Sequence, residues 1–162
     1  MISLVRVDDR LIHGQVVTQW IPYKHINIIY IVDDILANEP FMKNMLVNMA
    51  PDGTKVKVVT VDAACENMNK IVENNDLSAM IITNTPMPIQ RMIDANIKIT
   101  DVVLGGMGAR ADRKRIFKTV AISEEEKNSI QYLIDKGLKV VCHIVPYTNP
   151  VEASEALKSY DD

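Results

Sequence analysis

The residues able to do chemistry crowd into one stretch, Val7-Asp8-Asp9-Arg10-Leu11-Ile12-His13-Gly14-Gln15. It brings together two carboxylates, a guanidinium and an imidazole, with a glycine immediately after the histidine. An imidazole with an ordinary pKa of about 6.5 is mostly neutral at pH 7 and attacks phosphorus without help from a second base. Phosphoryl transfer passes through a loose transition state, so a protein mainly supplies alignment and positive potential. Arg10 suits that task, because its planar fork binds phosphate bidentately. Gly14 and the amides of a following helix start add a second source of positive potential. Asp8 or Asp9 can hold the far ring nitrogen and fix the tautomer. Together these residues read as a phosphohistidine site with His13 as the covalent carrier. On the pattern alone a plainer reading stays open, in which the histidine only caps a helix or lies on the surface.

Such a stretch needs a strand before it and a helix after it, and the sequence supplies both. Ile2, Leu4, Val5 and Val7 are strand-type residues, while Val16, Val17 and Trp20 carry helical spacing. Seven apolar, β-branched runs stand out, at residues 2–7, 26–32, 56–61, 78–83, 98–104, 116–122 and 138–145. Ile28-Ile29-Tyr30-Ile31-Val32 and Met80-Ile81-Ile82 are near-continuous, as in parallel strands covered on both faces. Helical spacing predicts helices over 38–50 (capped by Asn38, stopped at Pro51), 62–74 (capped by Asp62) and 86–95 (after Thr85). A further helix over 124–136 starts at Ser123 with Glu126 at capping-box spacing and ends at Gly137. Residues 105–115 have no apolar helical face, so runs 98–104 and 116–122 are expected to be antiparallel neighbours. The expectation is one α/β domain over residues 1–162: a single open, mostly parallel seven-stranded sheet with helices on both faces and one antiparallel strand. His13 would then stand at the carboxyl edge, where such sheets hold their ligands.

The bulk properties narrow the function classes. The chain has 162 residues, 48% hydrophobic and 24% charged, enough for one full core. A net charge of −3 argues against a nucleic-acid binder. No apolar run approaches the ~20 residues of a membrane span, and no basic-then-apolar signal pattern opens the chain. The expected setting is the cytoplasm. Cys65 and Cys142 are far apart and read as reduced thiols, with no metal-ligand spacing. His25 reads as a turn residue and His143 as a core residue. Asp33-Asp34 read as turn and cap residues, not as a magnesium site with Asp8-Asp9. Gly105-Gly106-Met107-Gly108 lacks dinucleotide spacing and no Walker lysine is present, so neither cofactor nor metal is expected. Three glycines around an exposed methionine instead read as a loop for docking a partner. The basic cluster Arg110, Arg113, Lys114, Arg115 and Lys118 reads as a solvated face able to steer an acidic partner.

Asp8-Asp9-Arg10-Leu11-Ile12-His13-Gly14-Gln15-Val16 closely resembles the Asp-x-Arg-Leu-Ile-His-Gly-Gln-Val signature of one family. These are the enzyme IIB components of the mannose/fructose/sorbose family of the bacterial sugar phosphotransferase system. The resemblance runs over nearly the whole chain, including Ile81-Ile82-Thr83-Asn84-Thr85, Gly105-Gly106-Met107-Gly108 and Ser123-Glu124-Glu125-Glu126. It implies that His13 accepts a phosphoryl group, on Nδ1, from a histidine of a IIA domain. The group then passes to a sugar entering through membrane components IIC and IID, at the inner face of the membrane. It further implies that Arg10 assists transfer, that Asp8 is the orienter of the ring, and that the sheet has seven strands. Where family members often read Asn-Val-Gly-Gly, this chain has Val103-Leu104-Gly105-Gly106, so a role of that asparagine does not carry over. Gly14, Asn84 and Thr85 are the expected phosphate-binding positions, the last two because a doubly wound sheet sets strands one and four side by side. The sugar and any self-association are not legible in the sequence.

Two other functions fit parts of the pattern. A receiver-like phosphoacceptor signalling domain would use Asp8-Asp9, Asp62 and Thr83 or Thr85, but it needs a lysine after the fifth strand, where this chain has glycine. A small nucleotide-binding enzyme would share the sheet but lacks its phosphate loop here.

Overall fold

In the computed structural model, which describes all 162 residues, nine strands form. They are β1 (Ile2–Asp8), β2 (Ile28–Val32), β3 (Lys55–Val59), β4 (Ala79–Thr83), β5 (Asp101–Gly106), β6 (Lys114–Phe117), β7 (Val120–Ile122), β8 (Lys139–Cys142) and β9 (Val151–Glu152). Seven of them build one sheet in the order β3-β2-β4-β1-β5-β8-β9, parallel except for β9, which runs antiparallel to β8. The helices are α1 (Ile21–Lys24), α2 (Asp34–Ala37), α3 (Pro40–Asn48), α4 (Val61–Val72), α5 (Met87–Asp94), α6 (Glu124–Asp135) and α7 (Ala153–Ala156).

Side-chain alternation sorts the interior into two cores. Val5, Val7, Ile28, Tyr30, Val32, Ile81 and Leu104 join Met68, Ile89, Met92 and Leu133 on one face of the sheet. Leu4, Ile29, Ile31, Met80, Ile82 and Val103 join Val16, Trp20, Ile21 and Leu46 on the other. With helices on both sides, β2 and β4 are buried at every position. The edge strand β3 alternates instead, with Lys55 and Lys57 exposed and Val56 and Val58 buried, and its lysines discourage pairing with another sheet. The same period of two puts Arg6 and Asp8 on the face of Leu4. Two charged side chains are thereby directed into an apolar layer.

The local signals hold in part. Ser123 and Glu126 make the full capping box of α6, and Gly137 leaves that helix at φ +88°. Thr60, not Asp62, caps α4, its hydroxyl accepting from the Ala63 amide. Glu39, not Asn38, caps α3, its carboxylate accepting from the Phe41 amide, while the Asn38 side-chain NH2 donates to the Asp34 carbonyl. The run 116–122 is not one strand antiparallel to β5. Polar Lys118-Thr119 folds it into the hairpin β6–β7, a separate two-stranded sheet. That hairpin joins the end of β5 around Met107, whose amide donates to the Thr119 carbonyl, and at Gly105, whose carbonyl accepts from the Thr119 hydroxyl. The reversed strand is β9, whose two residues are too short to leave a periodic trace.

Candidate functional site

After β1 the chain turns sharply and becomes helical. The Leu11 amide donates to the Asp8 carbonyl at 3.0 Å, and Leu11 takes φ 57°, a left-handed conformation costly for a bulky residue. Leu11 and Ile12 are both buried in the smaller core, which holds the turn in place. The His13 carbonyl then accepts from Val17 at 3.0 Å as the helical segment opens at Gly14. Residues Val16–Trp20 form a π-helical turn, the Ile21 amide reaching back to the Val16 carbonyl. Such turns recur at functional sites. Here it carries Trp20 into the interior.

Three side chains at this edge, Arg6, Arg10 and His13, converge on Asp8, whose side chain is wholly buried. Its Oδ2 lies 3.0 Å from His13 Nε2. Its Oδ1 accepts from the Arg10 amide and from Arg10 Nε, each at 3.2 Å. A carboxylate only accepts, so the neutral ring that faces it bears its hydrogen on Nε2 and its lone pair on Nδ1. His13 Nδ1 makes no hydrogen bond of its own. The His13 side chain is 15% exposed and that of Arg10 47%, which sets the pair at the rim rather than in a deep pocket.

Arg6 was missed by the sequence reading. Its side chain is fully buried, with Nη2 at 3.2 Å from Asp8 Oδ2. Nη1 donates to the His143 carbonyl at 3.0 Å and Nη2 to that of Ile144 at 3.3 Å. The Trp20 ring stacks beneath it, 5.2 Å from Cζ to centroid. Burial lowers the Arg6 pKa, and the attraction of Asp8 offsets that only in part. To reach beyond β5 the guanidinium crosses that strand at Gly105, where the register of β5 against β1 slips by one residue in a bulge. A Cβ at Gly105 would lie 2.1 Å from Arg6 Cζ, and one at Gly106 would lie 2.8 Å from Asp8 Oδ1. The signal available in the sequence was a charged residue inside an apolar strand, two positions before an aspartate.

Asp9 faces a second ion group. Its Oδ2 accepts from the Gly108 amide at 2.7 Å and from Arg113 Nη1 at 3.2 Å. Arg113 in turn grips Glu126 through Nη2 at 2.6 Å and Nε at 3.0 Å, both side chains being 1% exposed. Burial works against the Arg113 charge, but Glu126 and Asp9 outweigh it and the pKa is raised. Arg113 therefore leaves the expected solvated basic face, while Arg110, Lys114, Arg115 and Lys118 stay exposed. Met107 is fully buried, which overturns the reading of an exposed methionine in a docking loop. The glycines before it serve Arg6, Asp8 and Arg10 instead.

β1 and β4 are neighbours, with Val7 opposite Thr83, so Asn84 and Thr85 follow the strand beside the His13 loop. Asn84 donates to Asp33 at 2.7 Å, and the Thr85 carbonyl accepts from the Thr83 hydroxyl; neither is hydrogen-bonded to His13. Gly14 is exposed, with nothing within 4 Å of an added Cβ. Asp62 is exposed and paired with Arg91, apart from the buried Asp8 group, so no receiver-type acidic pocket forms. His143 lies just past β8, not inside it, with Nε2 on the Thr148 carbonyl at 2.7 Å. His25 ends α1 in the left-handed conformation. Burial pushes the Cys142 thiol up to about 12 and raises that of Cys65.

With this geometry in view, the family model for the PTS system sorbose subfamily IIB component matches residues 2–161. The chain belongs to that family. A fructose-specific EIIB component of Bacillus subtilis (strain 168) is 31% identical over 145 residues, covering 90% of this chain and 88% of that protein. The mannose-specific EIIAB component of Escherichia coli (strain K12) is 31% identical over 140 residues, 86% of this chain but 43% of that longer protein. The crystal structure of the IIB domain of the sorbose permease from Klebsiella pneumoniae superposes with a TM-score of 0.88 at 27% identity, covering 98% of this chain and 97% of that one. This IIB component is accordingly part of a sugar phosphotransferase system, built on the mostly parallel seven-stranded sheet of its relatives. No helix in it is long and apolar enough to cross a membrane.

Proposed function

We propose that this IIB component relays a phosphoryl group through His13, from a phosphorylated IIA histidine to an incoming sugar. The observation that carries the reading is the 3.0 Å contact of His13 Nε2 with Asp8, which leaves the Nδ1 lone pair free at the rim. In the first step that lone pair attacks phosphorus, the P–N bond to the IIA histidine breaks, and its electron pair returns to the donor ring. Nε2 keeps its hydrogen and donates it to Asp8 throughout. Arg10, half exposed and with Nη1 unbonded, is the guanidinium that meets the equatorial oxygens. The amides at the helix start around Gly14 and the donors of Asn84 and Thr85 complete the phosphate surroundings. In the second step a sugar hydroxyl attacks the same phosphorus, the P–Nδ1 bond returns its pair to His13, and the hydroxyl proton is released.

The reading puts the protein in the cytoplasm, meeting IIA on one occasion and the membrane components IIC and IID on another. Exposed Arg110, Lys114, Arg115 and Lys118 favour brief, charge-steered encounters with an acidic partner. The test is incubation with phosphorylated IIA followed by intact-mass measurement. The parent should gain one phosphoryl group and His13→Gln none. Uptake by His13→Gln would overturn the assignment.

A further inference from the structure

We infer that Arg6 is a positioning residue of the transfer site, acting through Asp8 to fix which nitrogen of His13 is the nucleophile. The inference rests on the phosphoryl-relay reading for its catalytic consequence, though not for its structural one. Asp8 has no contact with solvent, and three positive or proton-bearing groups share its two oxygens: Arg6, Arg10 and His13. Arg10 is half exposed and stands on the same loop as the histidine, so it can leave Asp8 for an arriving phosphoryl group. Arg6 cannot leave. Its guanidinium is enclosed by Asp8, the carbonyls of His143 and Ile144, the Trp20 ring and the bare backbone at Gly105.

The fold makes unusual provision for this arrangement. A charged side chain is buried in an apolar layer, a bulge and a glycine open a passage across β5, and two carbonyls beyond β8 are aimed at its far side. A surface arginine pairing with Asp8 would need none of these. What Arg6 adds is a partner for Oδ2 that persists while Arg10 is occupied elsewhere. Oδ2 is the oxygen that faces Nε2. With Arg6 in place the carboxylate remains a fixed acceptor, the hydrogen stays on Nε2, and Nδ1 presents its lone pair. Without it, Asp8 is free to turn towards Arg10 or to take up a proton and donate to Nε2. The first change leaves the ring hydrogen unfixed between the two nitrogens and the second draws it to Nδ1, so each lowers the fraction of rings whose Nδ1 carries the nucleophilic lone pair.

The experiment compares the parent with Arg6→Lys and Arg6→Met. The readouts are far-UV circular dichroism for folding, 15N NMR shifts of the His13 ring for the tautomer, and single-turnover phosphorylation by phospho-IIA. The parent should show the Nε2–H tautomer. Arg6→Met, close in length but uncharged, should give a mixed tautomer and at least a tenfold slower transfer at saturating IIA, with the half-saturating IIA concentration unchanged. Arg6→Lys should keep the charge, fold, and recover part of both signals. A folded variant with the parent's tautomer and rate overturns the inference. Should Arg6→Met fail to fold, Arg6→Lys decides: a parental tautomer and rate in that variant also overturn it, because a lysine cannot reach Asp8 and both carbonyls together. Failure of the relay reading is distinguishable, since the parent would then take no phosphoryl group while the tautomer comparison still reads out.

Discussion

Gly105→Ala is the sharpest test of how the site is built. A Cβ there would stand 2.1 Å from Arg6 Cζ and Nη2 and 2.4 Å from Nε. On an exposed arginine such an overlap costs little, because the tip swings aside. Here the tip is fully buried and bonded to Asp8 and to two carbonyls, so it cannot move without breaking those contacts. Overpacking alone costs about 1–3 kcal/mol, and separating a buried ion pair costs about 3–5 kcal/mol. Since displacement of Arg6 relieves the overlap, the larger figure sets the scale and the two are not added. For a chain of this size that corresponds to a fall in melting temperature on the order of 10 °C. Thermal and urea unfolding of the purified protein measure it. Gly14→Ala is the control for stability, because nothing lies within 4 Å of its added Cβ; in a helical first turn it should leave stability unchanged or raise it by about 0.5–1 kcal/mol. A Gly105→Ala protein melting within a degree of the parent would refute the claim that Arg6 is locked across β5.

Three further outcomes are expected. Arg10→Lys should melt like the parent, because Arg10 is half exposed, yet accept the phosphoryl group at least about tenfold more slowly, since a point charge does not replace a fork; single-turnover rates check this. Glu126→Ala removes the partner of buried Arg113 and should cost about 3–5 kcal/mol, whereas Ser123→Ala removes only a cap and should cost about 1 kcal/mol by urea titration. The Cys142 thiol is held up to about 12 by burial. Below about pH 9 the folded and unfolded chains both keep that proton. From there to about 12 only the unfolded chain loses it, so stability should fall as pH rises, by about 1.4 kcal/mol per unit at most. Cys142→Ala should show a shallower alkaline slope than the parent, and equal slopes would count against the buried-thiol account.

The sheet was legible because its driving force is written locally. Continuous apolar runs such as Ile28–Val32 must be covered on both faces, and Ser123 with Glu126 announces a helix within four residues. His13 with its flanking charges was legible for the same reason, the whole cluster lying in one loop. What escaped depends on partners distant in sequence. Nothing near Arg6 says that carbonyls at 143 and 144 will meet it, and nothing near Gly105 says that a guanidinium will cross there. Met107 looked exposed between glycines, yet its burial comes from the β6–β7 hairpin folding back over it. That hairpin was hidden because Lys118-Thr119 is a short interruption in an otherwise apolar run. Asp9, read as an alternative orienter of His13, and Arg113, read as a surface base, turn out to be paired in a network that runs from Asp9 at the surface to buried Glu126. The roles of these residues are set by long-range pairing, which no local pattern records.

Trp20 is the only tryptophan in the chain, and its position has a spectroscopic consequence. The indole is 2% exposed, its N–H donates to the Ile144 carbonyl at 2.9 Å, and its ring meets His143 edge-on at 5.1 Å. The same carbonyl accepts from Arg6, whose charge sits over the ring. All indole fluorescence of the protein thus arises one guanidinium away from the carboxylate that holds His13. A displacement of Arg6 alters at once the cation above the fluorophore and the acceptor of its N–H, shifting both emission maximum and yield. The molecule carries its own unlabelled optical reporter, suited to stopped-flow recording on the timescale of a single encounter.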